Sequence, residues 1–319
     1  MNRLFDVMIL ILFISTINLF SEDIGGKAGS FLRYGLDARS ESLGRSVIAD
    51  KRSTFSSYFN PATAAFVTEK SIMTGMKVLA FDRNFAYLSY LMPVNNNAGI
   101  GLGILYTGTD GIEGRDKDGN LFQEFSYNEN LFYVSFGMRP KNFLTFGVNV
   151  KLLYARLPEG SADGETVSSL TFAFDVGATV IIPKTNDLVI GLSARNFKGK
   201  NEWNSNDVWS DGQASSDYYP ATYSLGASWI TPFNEDLGFY GSLSSEDFLN
   251  INYGLGIELD KKYLEKIFSV RMGTISGDLT FGLGFEFSIL KMRSILDYSY
   301  TAEGISDFNP HTISWRFFL

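Results

Sequence analysis

The chain has 319 residues, a formal net charge of −8 and no cysteine. The negative balance argues against a nucleic-acid partner, and the missing cysteine excludes disulfides, thiolate metal sites and a lipidated amino-terminal cysteine. Aromatic residues make up 15% of the chain, with 28 Phe and 16 Tyr, more rings than one soluble core readily buries.

Residues 1–21 read as a secretory signal, with Arg3 as the basic region and Val7–Phe20 as the apolar run. Ser21 is a small residue before a plausible cut at Glu22. An apolar run of about 14 residues is too short to span the bilayer core as a helix, and no run of 18 follows elsewhere.

Residues 22–70 are rich in Gly, Ser and Ala and lack a period of two, and Asp37–Ala49 could form a short helix. From Ser71 onward apolar and polar residues alternate. The strands are predicted over 71–80, 84–93, 98–108, 125–139, 142–157, 168–183, 187–197 and 221–232. Six more follow over 236–246, 250–260, 266–276, 278–290, 292–303 and 311–319.

Leu170, Phe172, Phe174, Val176, Ala178, Val180 and Ile182 form one apolar stripe, and Leu279, Phe281, Leu283, Phe285 and Phe287 another. The last strand alternates Ile313, Trp315, Phe317 and Leu319 with Thr312, Ser314, Arg316 and Phe318. The first three strands are apolar on both faces, which leaves their register open. A bare apolar strand invites aggregation at a sheet edge, whereas a closed barrel has no edge and wants an apolar face towards lipid.

The links support closure. Val94–Asn97, Pro140–Lys141, Lys184–Asn186, Pro232–Glu235 and Lys291 are short, and each follows an even-numbered strand. The longest, Thr109–Glu124 and Lys198–Pro220, follow the third and seventh. Bacterial outer-membrane barrels have short periplasmic turns and longer external loops. The expectation is an all-β, 14-stranded antiparallel transmembrane barrel over 71–319, in the outer membrane of a diderm bacterium. A soluble β-sandwich alternates in the same way, but it needs neither the signal nor so many outward rings.

The words Gly29-Ser-Phe31-Leu32-Arg33, Asp37-Ala-Arg39, Leu43-Gly44 and Asn60-Pro61-Ala62 resemble the opening of the PorV/PorQ (UPF0164-like) family. Arg195-Asn196-Phe197, Arg271-Met-Gly273, Phe281-Gly-Leu-Gly284, Asp297-Tyr-Ser-Tyr300 and His311-Thr-Ile-Ser314 look like its later part. That family is related to the FadL-type long-chain fatty-acid transporters. The resemblance implies a 14-stranded barrel whose amino-terminal segment, residues 22–70, folds inside as a plug or hatch. Two positions depart from its pattern: Arg45 stands where a Gly is usual, and Thr63 follows Asn-Pro-Ala where a Gly is usual.

If the apolar stripes face lipid, then Lys151, Asp175, Arg195, Glu258, Arg271, Glu286, Asp297 and Arg316 face the lumen. Their signs mostly alternate, so cross-strand and plug–wall ion pairs can form. They either line a polar path or latch the plug, or they only fill a water-poor interior. Asn60-Pro61 predicts a sharp exit from plug to wall, because Pro fixes φ and extends the residue before it. The link 198–220 holds Trp203, Trp209, Tyr218 and Tyr219, rings that could capture an apolar molecule or a partner protein outside, or pack as a lid over the rim. Asp116–Asn120 lacks the distal Glu of a calcium loop and is better read as an Asp-Gly hairpin turn. Trp315, Phe317 and Leu319 resemble a terminal signal for the barrel-assembly machinery.

His311 has no identifiable catalytic partner, so no enzyme, metal or cofactor is expected. Two functions remain open. One is a FadL-like barrel that passes small hydrophobic, fatty-acid-like molecules across the outer membrane. The other is a PorV-like component of the type IX secretion system that binds secreted cargo or translocon proteins. Outer-membrane lipids are the expected surroundings in both.

Overall fold

The computed structural model describes residues 28–319 except 53, 158–165, 184, 186–187, 207–211, 233–236, 248–251, 264–265, 276 and 303–308. The signal expected over 1–21 and Trp209 lie outside the described residues. In chain order the strands are β1 (Ser71–Val78), β2 (Arg83–Asn95), β3 (Ala98–Arg115), β4 (Leu121–Lys141), β5 (Leu144–Arg156), β6 (Ser168–Ile181), β7 (Val189–Phe197), β8 (Lys200–Asn204) and β9 (Ala214–Tyr218). They continue as β10 (Thr222–Pro232), β11 (Leu237–Asp247), β12 (Asn252–Tyr263), β13 (Lys266–Ile275), β14 (Asp278–Ile289), β15 (Met292–Ala302) and β16 (His311–Phe318).

Fourteen of them close one barrel, and β8 and β9 pair apart from it. Every wall pair is antiparallel, and β16 closes on β1 from Ser71↔Phe318 to Val78↔His311. The final strand therefore has partners on both sides. All fourteen predicted wall strands are present.

Alternation dictates the two faces. On β14, Leu279, Phe281 and Leu283 are exposed outside while Thr280 is buried inside, and on β6 Leu170, Phe172, Phe174 and Val176 are exposed in the same way. Exposed apolar area costs about 25 cal/mol per Å² in water, and a bilayer removes that cost. Rings gather near the short-turn end: Phe285 lies 4.8 Å from Phe268 and 5.2 Å from Phe287, and Trp315 lies 4.6 Å from Phe317.

Two links differ from expectation. The alternation of β3 and β4 runs on to Arg115 and Leu121, so most of the 109–124 link is a strand extension and only its tip is a turn. There Asp116 Oδ1 accepts from the backbone N–H groups of Asp118 and Asn120 at 2.9 Å, and the Asn120 bonds hold the carboxyl below its usual range. Within 198–220, β8 and β9 form a hairpin, with Lys200↔Tyr218 as its first pair.

Residues 28–67 lie against the inner face of the wall. A 3₁₀ turn over Ser30–Arg33 is followed by α1 (Ala38–Ser42) and by two further 3₁₀ turns over Thr54–Tyr58 and Pro61–Phe66. The helix expected over 37–49 is thus only one turn long. Asp37 caps it by accepting from Ser40 N at 3.2 Å. Gly44 and Arg45 end it with φ of 63° and 55°, because two left-handed residues in succession cannot continue a right-handed helix.

Candidate functional site

The barrel interior is built from three sets of contacts. The first is a seat for the Asn60-Pro61-Ala62 turn. Asn60 Oδ1 caps the turn by accepting from Ala62 N at 3.1 Å, and its Nδ2 donates to Ile48 O at 2.7 Å and to Ala178 O of β6 at 3.3 Å. The wall beneath is bare. Gly99, Gly137, Gly147 and Gly177 pair in register across β3, β4, β5 and β6. A Cβ on Gly147 would lie 2.2 Å from Pro61 C, and one on Gly177 would lie 2.0 Å from Asn60 Oδ1. The glycines therefore let backbone meet backbone. Thr63 fills the place of the usual Gly and bonds to Asn60 O at 2.9 Å through its hydroxyl.

A second set is ionic. Glu258 of β12 accepts from Arg39 Nε at 3.1 Å and from Nη2 at 2.7 Å, from Arg271 Nε at 2.7 Å and from Arg52 Nη1 at 3.3 Å. Arg39 also pairs with Asp50, and Arg271 Nη1 reaches Asp297 Oδ1 at 2.6 Å. Arg316 of β16 stands 3.9 Å from Asp37 and lies over the Phe55 ring. Hydrogen bonds run beside these pairs: Ala38 N donates to Ser314 Oγ at 3.1 Å, and Thr280 Oγ1 donates to Ser42 O at 3.0 Å. Glu41 adds a pair with Lys77 of β1 and one with Arg45 at 3.3 Å. The sequence reading missed Lys77, which sits on a strand apolar on both faces.

The third set lies towards the long-turn end. Lys151 of β5 meets Asp175 of β6 at 2.8 Å and donates to Asn196 Oδ1 of β7 at 3.0 Å. Arg195 is buried over the Phe59 ring, 5.1 Å from its centroid. Above this cluster the β8–β9 hairpin folds inward against β6: Glu202 N donates to Ser169 Oγ at 2.8 Å. Trp203 is buried with Ala155 and Val167, and its Nε1 donates to Asp217 Oδ2 at 2.7 Å. Tyr219 packs into the cluster that includes Phe31 and Leu32.

Seven of the eight predicted lumen charges, Lys151, Asp175, Arg195, Glu258, Arg271, Asp297 and Arg316, are buried inside. Glu286 is different. It lies near the short-turn end of β14, 21% exposed and 3.9 Å from Arg293, still paired with Ile267 of β13 and Ile295 of β15. Of the described rings predicted in the 198–220 link, Tyr218 is 69% exposed, and Lys200 Nζ lies over its ring at 5.9 Å. Trp203 and Tyr219 are buried. Trp315 and Phe317 sit on the outer face, and Leu319 N donates to Lys70 O at 2.9 Å.

No protein-family model matches the sequence, and no curated protein matches it. Solved structures do resemble it. The toluene transporter TodX of Pseudomonas putida superposes with a TM-score of 0.58 at 14% identity, over 95% of this chain and 98% of its own. CymD, a monoaromatic hydrocarbon channel, gives 0.57 at 11% identity over 89% and 98%. A Pseudomonas aeruginosa FadL homologue gives 0.53 at 10% identity over 88% and 96%. At these identities the likeness is one of fold. The resemblance to PorV/PorQ rests on the sequence words alone.

Proposed function

We propose that this chain is an outer-membrane barrel that passes small hydrophobic, fatty-acid-like molecules, with residues 28–67 as its plug. The observation that carries this reading is the lining of β1–β5. Met73, Phe85, Tyr87, Leu91, Leu105, Leu131, Tyr133 and Leu153 all face inward and join one apolar cluster with Phe31, Leu32, Phe59 and Tyr219. A water-filled porin wants a polar interior, whereas an apolar stripe from Tyr219 to the plug suits a molecule that leaves water. The outward apolar belt supports the bilayer, and the fold shared with hydrocarbon channels supports the class of cargo.

Uptake of labelled toluene and of labelled decane tests this in cells that lack their own hydrocarbon channel. Cells carrying the chain should take up at least one of the two several-fold faster than empty cells. The variant Leu131→Asp, which places a charge in the apolar stripe, should lose most of that gain at equal surface abundance. Uptake equal to that of empty cells, with the barrel assembled, would overturn the reading.

A further inference from the structure

β7 carries a bulge that sets a second residue, Asn196, on the inner face beside Arg195. The register with β6 passes from Val176↔Ala194 to Phe174↔Phe197, so Arg195 and Asn196 together face Asp175. Asn196 has a φ of 63°, and its backbone N–H donates to Asp175 Oδ1 at 2.8 Å. Consecutive strand residues ordinarily point to opposite faces, but a bulge re-aims side chains. Here Arg195 and Asn196 are both buried.

The charges around the bulge do not balance. Asp175 already holds Lys151 at 2.8 Å and accepts from Asn149 Nδ2 at 3.0 Å as well as from the Asn196 N–H. Arg195 is an electrostatic neighbour of Lys151 and is 1% exposed. Its Nε and Nη1 find no partner, and neither does the buried hydroxyl of Ser193 on the same strand. Among the described residues, no carboxylate pairs with Arg195. Lys151 thus holds the one carboxylate beside the bulge, and a second buried cation is costly without a partner or a hydrogen-bonding ligand. The cluster lies at the foot of the β8–β9 hairpin, where Asn196 O accepts from Gly199 N at 3.2 Å.

We propose that the β7 bulge is a buried oxyanion-binding site, in which Arg195 supplies the charge and donors and Ser193 a further donor. The oxyanion belongs either to free inorganic phosphate or to the head of an apolar acid whose tail lies along the β1–β5 stripe. The site does not depend on whether neutral hydrocarbons pass through the barrel.

The purified full chain in a non-ionic detergent, at constant ionic strength, is titrated by calorimetry with phosphate against chloride and with decanoate against decanol. At least one oxyanion should bind tenfold or more tightly than its counterpart, and Arg195→Met should lose that preference while Arg195→Lys keeps part of it. A preference for phosphate alone assigns a free anion, and a preference for decanoate alone assigns a head group. If Arg195→Met does not assemble, Ser193→Ala is read instead and should weaken binding several-fold. No oxyanion preference in the unaltered chain, or one that survives in Arg195→Met, overturns the site. Toluene uptake measured on the same proteins reports separately on passage of hydrophobic molecules.

Discussion

The inner faces of β1–β5 and of β10–β16 hold one buried segment by different physics. On the first, Tyr133 meets the Tyr58 ring at 5.5 Å and aliphatic side chains surround Phe55 and Phe59. On the second, Ser228 Oγ donates to Ala49 O at 2.8 Å, Ser46 and Ser242 bond through their hydroxyls at 2.6 Å, and Glu258 gathers three arginines. Apolar contact is non-directional and scales with area, so it tolerates small slides. A carboxylate shared by several guanidinium groups accepts few geometries. The polar half therefore fixes where residues 28–67 sit, and the apolar half adds non-directional contact that keeps them there.

The largest effect should follow from breaking the polar half at its centre. Glu258→Ala leaves Arg39 and Arg271 with Asp50 and Asp297 as their remaining described partners. Removing one member of a buried pair costs about 3–5 kcal/mol, so the thermal midpoint in detergent should fall sharply. Residues 28–67 should become open to protease while the wall persists. The contrasting variant Glu286→Ala, at the rim, should stay within about 0.5 kcal/mol of the unaltered chain. Equal effects from the two would mean that the buried network does not position the segment.

A middle-sized effect tests the other half. Gly147→Val places a side chain 2.2 Å from the Pro61 backbone, and packed walls and turns do not yield that far. Overpacking of this kind costs about 1–3 kcal/mol. Hydrogen exchange should rise over Asn60–Phe66 and stay low over Ala38–Ser42, whose contacts lie on the opposite wall. Unchanged exchange in both stretches would show that the glycine row is not a seat.

The same contrast explains what could be read from the sequence. Strands β6 and β14 alternate cleanly because lipid and a polar interior demand opposite residues, and their faces were legible residue by residue. Strands β1–β3 were not, because Phe85, Tyr87, Leu91 and Leu105 face an interior as apolar as the outside. The buried charges were found because a charge on an alternating strand must point inward. Glu286 keeps the inward register of Thr280 but is only partly buried, because alternation carries no mark of how near a residue is to the rim. The glycine row left a faint signal, glycine at inward positions of four neighbouring strands, but the cross-strand pairing that aligns it is a tertiary fact. The inward fold of β8–β9 likewise depends on Ser169 and Thr171 of β6 receiving it.

The smallest effect concerns the residue that departs from the PorV/PorQ pattern. Arg45 has a φ of 55°, a left-handed conformation that costs a side-chain-bearing residue about 1 kcal/mol and costs glycine little. That strain is the physical reason a glycine is at home after Leu43-Gly44. In this chain the Arg45 side chain offsets it by reaching Glu41 at 3.3 Å and lying over the Tyr34 ring, 5.7 Å from its centroid. Arg45→Ala keeps the strain and loses both contacts, so it should destabilise by about 1–2 kcal/mol, since a cation over a ring alone is worth about 0.5–1 kcal/mol. Arg45→Gly loses the same contacts but relieves the backbone, so it should lie about 1 kcal/mol above the alanine variant. Chemical denaturation of the two proteins in one detergent measures that difference. An alanine variant as stable as the glycine one would mean that the backbone at this turn relaxes freely, and that the helix ends at Leu43 for reasons other than the left-handed pair.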